Sequence, residues 1–201
     1  MTAALAAGPA TAASGPRSRP VAWWGMAWLI VTEALIFVAL VSAYFFVRAA
    51  SPSWPPPGID PPELSWRIWL FTAVLLGSSV PLFVAEPAMR SGRIGVVRAA
   101  LALNSSMGVA FLANQALEYR GLGFSLKGTA YASLFVLITG LHGLHVLIGL
   151  AMGGVTQAKA WTGRLTTERH LTLTVFSMYW HFVDAVWIVV FGSLYLSAHV
   201  R

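Results

Sequence analysis

The stretch 128-GTAYASLFVLITGLHGLHVLIGLAMGGVTQ-157 runs thirty residues without an Asp, Glu, Lys or Arg. As a helix rising about 1.5 Å per residue it would be about 45 Å long, more than the roughly 30 Å of hydrocarbon in a bilayer. It therefore reads as a transmembrane helix. On either side of it four more apolar runs are long enough to cross, at residues 21–47, 66–88, 96–117 and 170–198. The expected fold is all-α, a polytopic membrane bundle of five transmembrane helices occupying residues 21–201. Residues 1–20, rich in Ala, Gly, Ser, Thr and Pro, read as a flexible N-terminal tail.

Composition supports lipid as the solvent. The chain of 201 residues is 57% hydrophobic and only 10% charged, against about 25% charged residues in soluble domains. Mean hydropathy is +0.71. Formal net charge is +6, from 13 Lys+Arg and 7 Asp+Glu. The basic residues sit between apolar runs, a pattern of topology signals and lipid headgroup attraction, not of a nucleic-acid groove. The absence of cysteine excludes disulfides, thiolate catalysis, iron–sulfur clusters and Cys-ligated metals.

With five spans the loops sort onto two sides. Arg17, Arg19, Arg90, Arg93, Arg98, Lys159, Arg164 and Arg169 fall with the N-terminus, against Arg48, Arg67, Arg120, Lys127 and Arg201 opposite. That bias predicts a cytoplasmic N-terminus. Pro81 and Pro87 predict a kink in the second span. Trp54-Pro55-Pro56-Pro57-Gly58 predicts an extended turn at the interface.

Ionisable residues inside the spans are the most informative, since a charge at mid-bilayer costs on the order of 3 kcal/mol and survives only when sheltered and partnered. Glu33 lies 12 residues past Val21, about 18 Å into the first span. His142 and His145 lie about 22 and 18 Å from Gln157 in the fourth, and His181 and Asp184 about 16 and 21 Å past His170 in the fifth. Their shared depth permits one polar cluster joining the first, fourth and fifth spans. His142, His145, Gly149 and Gly153 share one helix face, and the two glycines would let another helix approach closely. In the third span Asn104, Gly108, Gln115 and Glu118 share a face suited to packing. Satisfied packing histidines, a proton relay and metal or heme ligation by His142, His145 and His181 all stay open on the residues alone.

The run Tyr179-Trp180-His181-Phe182-Val183-Asp184-Ala185-Val186-Trp187 resembles the signature of subunit III of the heme-copper terminal oxidases. Other matches follow the same order: Thr32-Glu33-Ala34-Leu35-Ile36-Phe37, the Trp54–Pro57 loop, Gln115-Ala116-Leu117-Glu118-Tyr119, and Thr139-Gly140-Leu141-His142-Gly143-Leu144-His145. The resemblance is to the five-helix bacterial form, without the two extra N-terminal helices of the seven-helix form. It implies an accessory subunit with no heme, copper or catalytic residue of its own, beside oxidase subunits I and II, which hold those cofactors. It further implies bound phospholipid, support of proton uptake during reduction of oxygen to water, and a bacterial plasma membrane in preference to a mitochondrial inner one. Glu33 matches the family's buried helix carboxylate, and Lys159 falls where the family places a base near lipid phosphates. Thr174 stands where the family often has a glutamate, so that acid's role has no counterpart here. Two rival functions share such a fold: an independent proton-conducting protein using Glu33, His145 and Asp184, and an accessory subunit of a nitric oxide reductase.

Overall fold

The computed structural model describes residues 19–59, 62–121 and 129–199. Most of the expected tail, together with Arg17, Lys127 and Arg201 of the charge comparison, lies outside those residues. Every regular element described is helical: α1 Val21–Ala50, α2 Trp66–Gly77, α3 Ser79–Arg90, α4 Ile94–Gly121, α5 Ala130–Trp161 and α6 Leu171–Val190. A π-helical stretch, Phe191–Leu196, and a 3₁₀ turn, Ser197–His199, continue α6. Taken as spans these make five helices long and apolar enough to cross a membrane, with α2 and α3 forming one of them.

The helices overrun the apolar stretches because their polar ends find partners at the rim. The third span includes Glu118 and Tyr119, and the Tyr119 hydroxyl hydrogen-bonds Thr139 Oγ1 at 2.6 Å. The fourth extends past Gln157 to Trp161, with Lys159 in its last turn. It starts at Ala130, where Thr129 Oγ1 caps the helix by accepting from the Ala132 amide. The fifth span was expected as one regular helix and instead widens to π geometry after Val190, where Trp187, Phe191 and Tyr195 stack successively.

The second span breaks at Ser78. Pro81 has no N–H for the Gly77 carbonyl four residues back, and its ring crowds that carbonyl. The expected proline distortion is thus present, displaced to the turn before the ring. At the break, Ser78 O accepts from Asn104 Nδ2 at 2.9 Å and Ser78 Oγ accepts from Trp180 Nε1 at 2.7 Å. Backbone polarity exposed by the kink is satisfied by neighbouring helices, as lipid requires.

α4 packs against α2, α3 and α5, while α6 packs against α1, α3 and α5. α6 is the most enclosed span and α1 the least. The small residues lie where Trp180 and Phe176 of α6 enter. A Cβ on Gly108 would stand 2.6 Å from Trp180 Cη2, and one on Gly149 would stand 2.9 Å from the same indole. One on Gly153 would stand 3.1 Å from Phe176. The small-residue face of α5 therefore admits aromatic side chains. At the opposite rim, the Trp54 indole donates to Tyr44 OH at 3.0 Å and packs on the edge of Tyr131, so the proline-rich loop is anchored to α1 and α5.

Gly108→Ala is expected to displace Trp180 and destabilise the detergent-solubilised protein by about 1–3 kcal/mol, the usual cost of overpacking. Gly154→Ala, whose added methyl meets nothing within 4 Å, is the control and should leave the thermal midpoint unchanged or slightly raised.

Candidate functional site

The first intramembrane group pairs α1 with α5. His145 Nε2 and Glu33 Oε2 stand 3.1 Å apart. His145 Nδ1 lies 2.8 Å from the Leu141 carbonyl, which can only accept, so Nδ1 carries a hydrogen. One further proton must then lie between Nε2 and Oε2. Either an imidazolium faces a carboxylate or an imidazole faces a carboxylic acid, and the net charge is zero in both. A neutral unit is the form a low-dielectric site tolerates best. Phe37, Tyr179 and Phe182 surround the imidazole, with ring centroids 5.1, 6.5 and 6.2 Å away. The His145 side chain is 6% exposed and that of Glu33 is 28% exposed, so the pair opens toward the outside of the bundle on the α1 side.

The second group joins α3 to α6. Ser79 Oγ, in the first turn after the helix break, lies 2.5 Å from Asp184 Oδ2 and 2.8 Å from His181 Nδ1. The other imidazole nitrogen, Nε2, lies 3.2 Å from Ser177 Oγ one turn earlier on α6. Phe83 stacks on the ring at 4.6 Å with planes 19° apart. Half-buried Glu86 lies two turns along α3 from Ser79 and one turn past Phe83.

The remaining residues singled out from the sequence stand apart from these groups. His142 is 1% exposed and wedged between Trp187, 4.9 Å away, and Phe111, 6.0 Å away. Neither of its nitrogens has a hydrogen-bond partner among the described residues. Lys159 Nζ donates to Thr172 Oγ1 at 2.9 Å, tying the end of α5 to the start of α6. Beside it Arg98 donates to the Ala160 carbonyl and lies over Trp161.

Common depth therefore does not make one cluster. Helix rotation separates Glu33–His145 from His181–Asp184, and no hydrogen bond joins the two groups among the described residues. His142, His145 and His181 point to three different surroundings, which rules out the three-nitrogen site drawn from their spacing. No set of three His, Cys, Asp or Glu among the described residues is placed to hold a metal ion. Residues of the second group were missed: Ser79, which links His181 to Asp184, and Ser177, which meets the other imidazole nitrogen. The available signal was the Ser78-Ser79-Val80-Pro81 sequence, where a proline-induced break inside a span must expose hydroxyls and carbonyls to neighbouring helices.

Residues 17–199 match the family described as cytochrome c oxidase subunit III. Cytochrome c oxidase subunit 3 of Lumbricus terrestris is 37% identical over 178 residues, covering 86% of this chain and 68% of that protein. The Thermostichus vulcanus protein of the same name is 32% identical over 178 residues, with 86% and 85% covered. That of Synechocystis sp. is 34% identical over 175 residues, with 86% and 74% covered. A match that runs through all five spans, from ahead of α1 to the end of the 3₁₀ turn, settles the assignment: the chain belongs to the cytochrome c oxidase subunit III family.

Proposed function

We propose that this chain packs beside subunits I and II of a heme-copper oxidase, holds phospholipid at its rim and supports proton uptake while the partners' heme and copper reduce oxygen to water. As a member of its family it is an accessory, non-catalytic subunit of a membrane-embedded oxidase complex. The observation that carries the finer reading is the Glu33–His145 pair. It is neutral as a unit and enclosed by aromatics on one side, and it opens on the α1 side. α1 contributes least to the bundle's own interior and presents Trp28, Leu35, Val38 and Phe46 outward. Such a face suits a neighbouring subunit or lipid, and a sheltered neutral pair suits support better than redox work.

The orientation favoured by the basic residues places the α3–α4 and α5–α6 turns in the cytoplasm of a bacterial plasma membrane. Arg93, Arg98, Lys159, Arg164 and Arg169 then gather at one rim, where Lys159 and Arg98 are already held in place by Thr172 and by Ala160. Their charges supply the attraction for anionic headgroups. The rival reading of independent proton conduction through Glu33, His145 and Asp184 finds no continuous hydrogen-bonded path among the described residues.

Two outcomes are expected. Glu33→Gln in the intact oxidase should leave the heme absorption spectrum and initial oxygen consumption unchanged. The Gln amide can still donate to His145 Nε2, so the stability cost should stay below about 1 kcal/mol. A bleached heme band would show that this chain contributes to a redox centre. Replacing Lys159 by Met together with Arg98 by Gln should lower retention of anionic phospholipid several-fold, at about 1 kcal/mol per basic residue at the membrane surface. Quantifying lipid in the purified complex checks this, and unchanged content would remove the rim as the lipid contact.

A further inference from the structure

We propose that Ser177, His181, Ser79 and Asp184 form a reversible proton wire that loads Asp184 through the half-buried imidazole. The inference concerns this chain's own residues and does not depend on which partner subunits lie alongside.

The wire follows from counting hydrogens across three contacts, Ser177 Oγ to His181 Nε2 at 3.2 Å, His181 Nδ1 to Ser79 Oγ at 2.8 Å, and Ser79 Oγ to Asp184 Oδ2 at 2.5 Å. With Asp184 ionised, the Ser177 hydroxyl donates to Nε2, Nδ1–H donates to Ser79 and the Ser79 hydroxyl donates to the carboxylate. With Asp184 protonated, every bond reverses: the acid donates to Ser79, Ser79 donates to Nδ1, and Nε2–H donates to Ser177. Both arrangements satisfy the imidazole and Ser79 with no heavy atom displaced, and Ser177 stays bonded to Nε2 in each.

One proton converts the first state into the second. It arrives at His181 Nε2 as the Ser177 hydroxyl turns away. The Nδ1 proton passes to Ser79 Oγ, and the proton already on Ser79 passes to Asp184 Oδ2. Only N–H and O–H bonds form and break, and the reverse sequence returns the proton.

Burial gives the wire a direction. Asp184 is 7% exposed and Ser177 2%, whereas His181 is half-buried. Glu86 lies one turn past Phe83, whose ring stacks on His181, and four residues, about 6 Å of helix, before Arg90 at the end of α3. The half-buried imidazole is the most accessible member of the string, and protons enter there. Asp184 Oδ1 is buried with no partner among the described residues. A bare carboxylate oxygen there would be costly, which favours the protonated acid. The titratable groups around the string are few. Glu86 lies along α3 beyond Phe83, the Glu33–His145 pair of α1 and α5 is closed on itself, and from α4 the amide of Asn104 is bound to Ser78 O.

Infrared spectroscopy of the full chain in lipid nanodiscs tests this. In a Glu33→Gln background, which removes the other intramembrane carboxyl paired with a histidine, the protein should show a protonated-carboxyl C=O band that Asp184→Asn removes. On transfer to D₂O the deuterium shift of that band should be slowed on the order of a hundredfold in Ser79→Ala and His181→Phe, the usual contribution of a positioned proton-transfer group. Ser79→Thr keeps the hydroxyl and should exchange as fast as wild type, while backbone amide exchange stays alike in all variants. Persistence of the band in Asp184→Asn would overturn the wire, as would wild-type exchange in Ser79→Ala. Equal slowing in Ser79→Thr and Ser79→Ala would also overturn it, since packing and not the hydroxyl would then be responsible.

Discussion

The indole of Trp180 is the contact on which the bundle depends. It fills the space left by Gly108 on α4 and Gly149 on α5, and its N–H reaches Ser78 Oγ at the break in the second span. In lipid, helix association gains little from burying apolar surface and rests on close packing and interhelical hydrogen bonds. One side chain supplies both to three other spans. The break at Ser78 would be a liability elsewhere in the membrane. Here Asn104 takes its carbonyl and Trp180 addresses its hydroxyl, so a proline distortion becomes a junction.

The same junction sets the chemistry beside it. Because the helix restarts at Ser79, that hydroxyl projects toward α6 and meets both Asp184 and His181. On the other side of α6, Glu33 and His145 form a separate unit with one shared proton. Two carboxyl–imidazole groups at similar depth are thus kept apart by helix rotation and by the aromatic side chains between them. Each is arranged so that no net charge need be carried in hydrocarbon, which the cost of intramembrane charge demands.

Much of the fold was legible in the sequence, because the bilayer imposes a length and composition that a run such as 128–157 displays without reference to its neighbours. The proline break, the close approach at Gly149 and Gly153, and the need of Glu33, His145, His181 and Asp184 for partners were legible for similar reasons of local cost. Pairing was not. Depth follows from residue counting, but which face of a helix meets which neighbour depends on rotations fixed only when Trp180 and Phe176 enter their glycine notches. That is why His142, one turn from His145, ends against Trp187 and not beside a carboxylate. Ser79 and Ser177 carry no charge and so gave no signal of cost, although they bridge the groups that did. The widening of the last helix to π geometry, where Trp187, Phe191 and Tyr195 stack, is likewise marked by no short-range period.

A double-mutant cycle between Trp180 and Ser78 tests the central claim most directly. Trp180→Phe keeps an aromatic ring and removes the N–H, while Ser78→Ala removes its acceptor. Measured by reversible unfolding in mixed micelles, the two changes should be non-additive, with a coupling of about 0.5–1.5 kcal/mol for one buried hydrogen bond. Strict additivity would mean that the indole and the helix break stabilise the bundle independently, and the junction would not be the element that organises it.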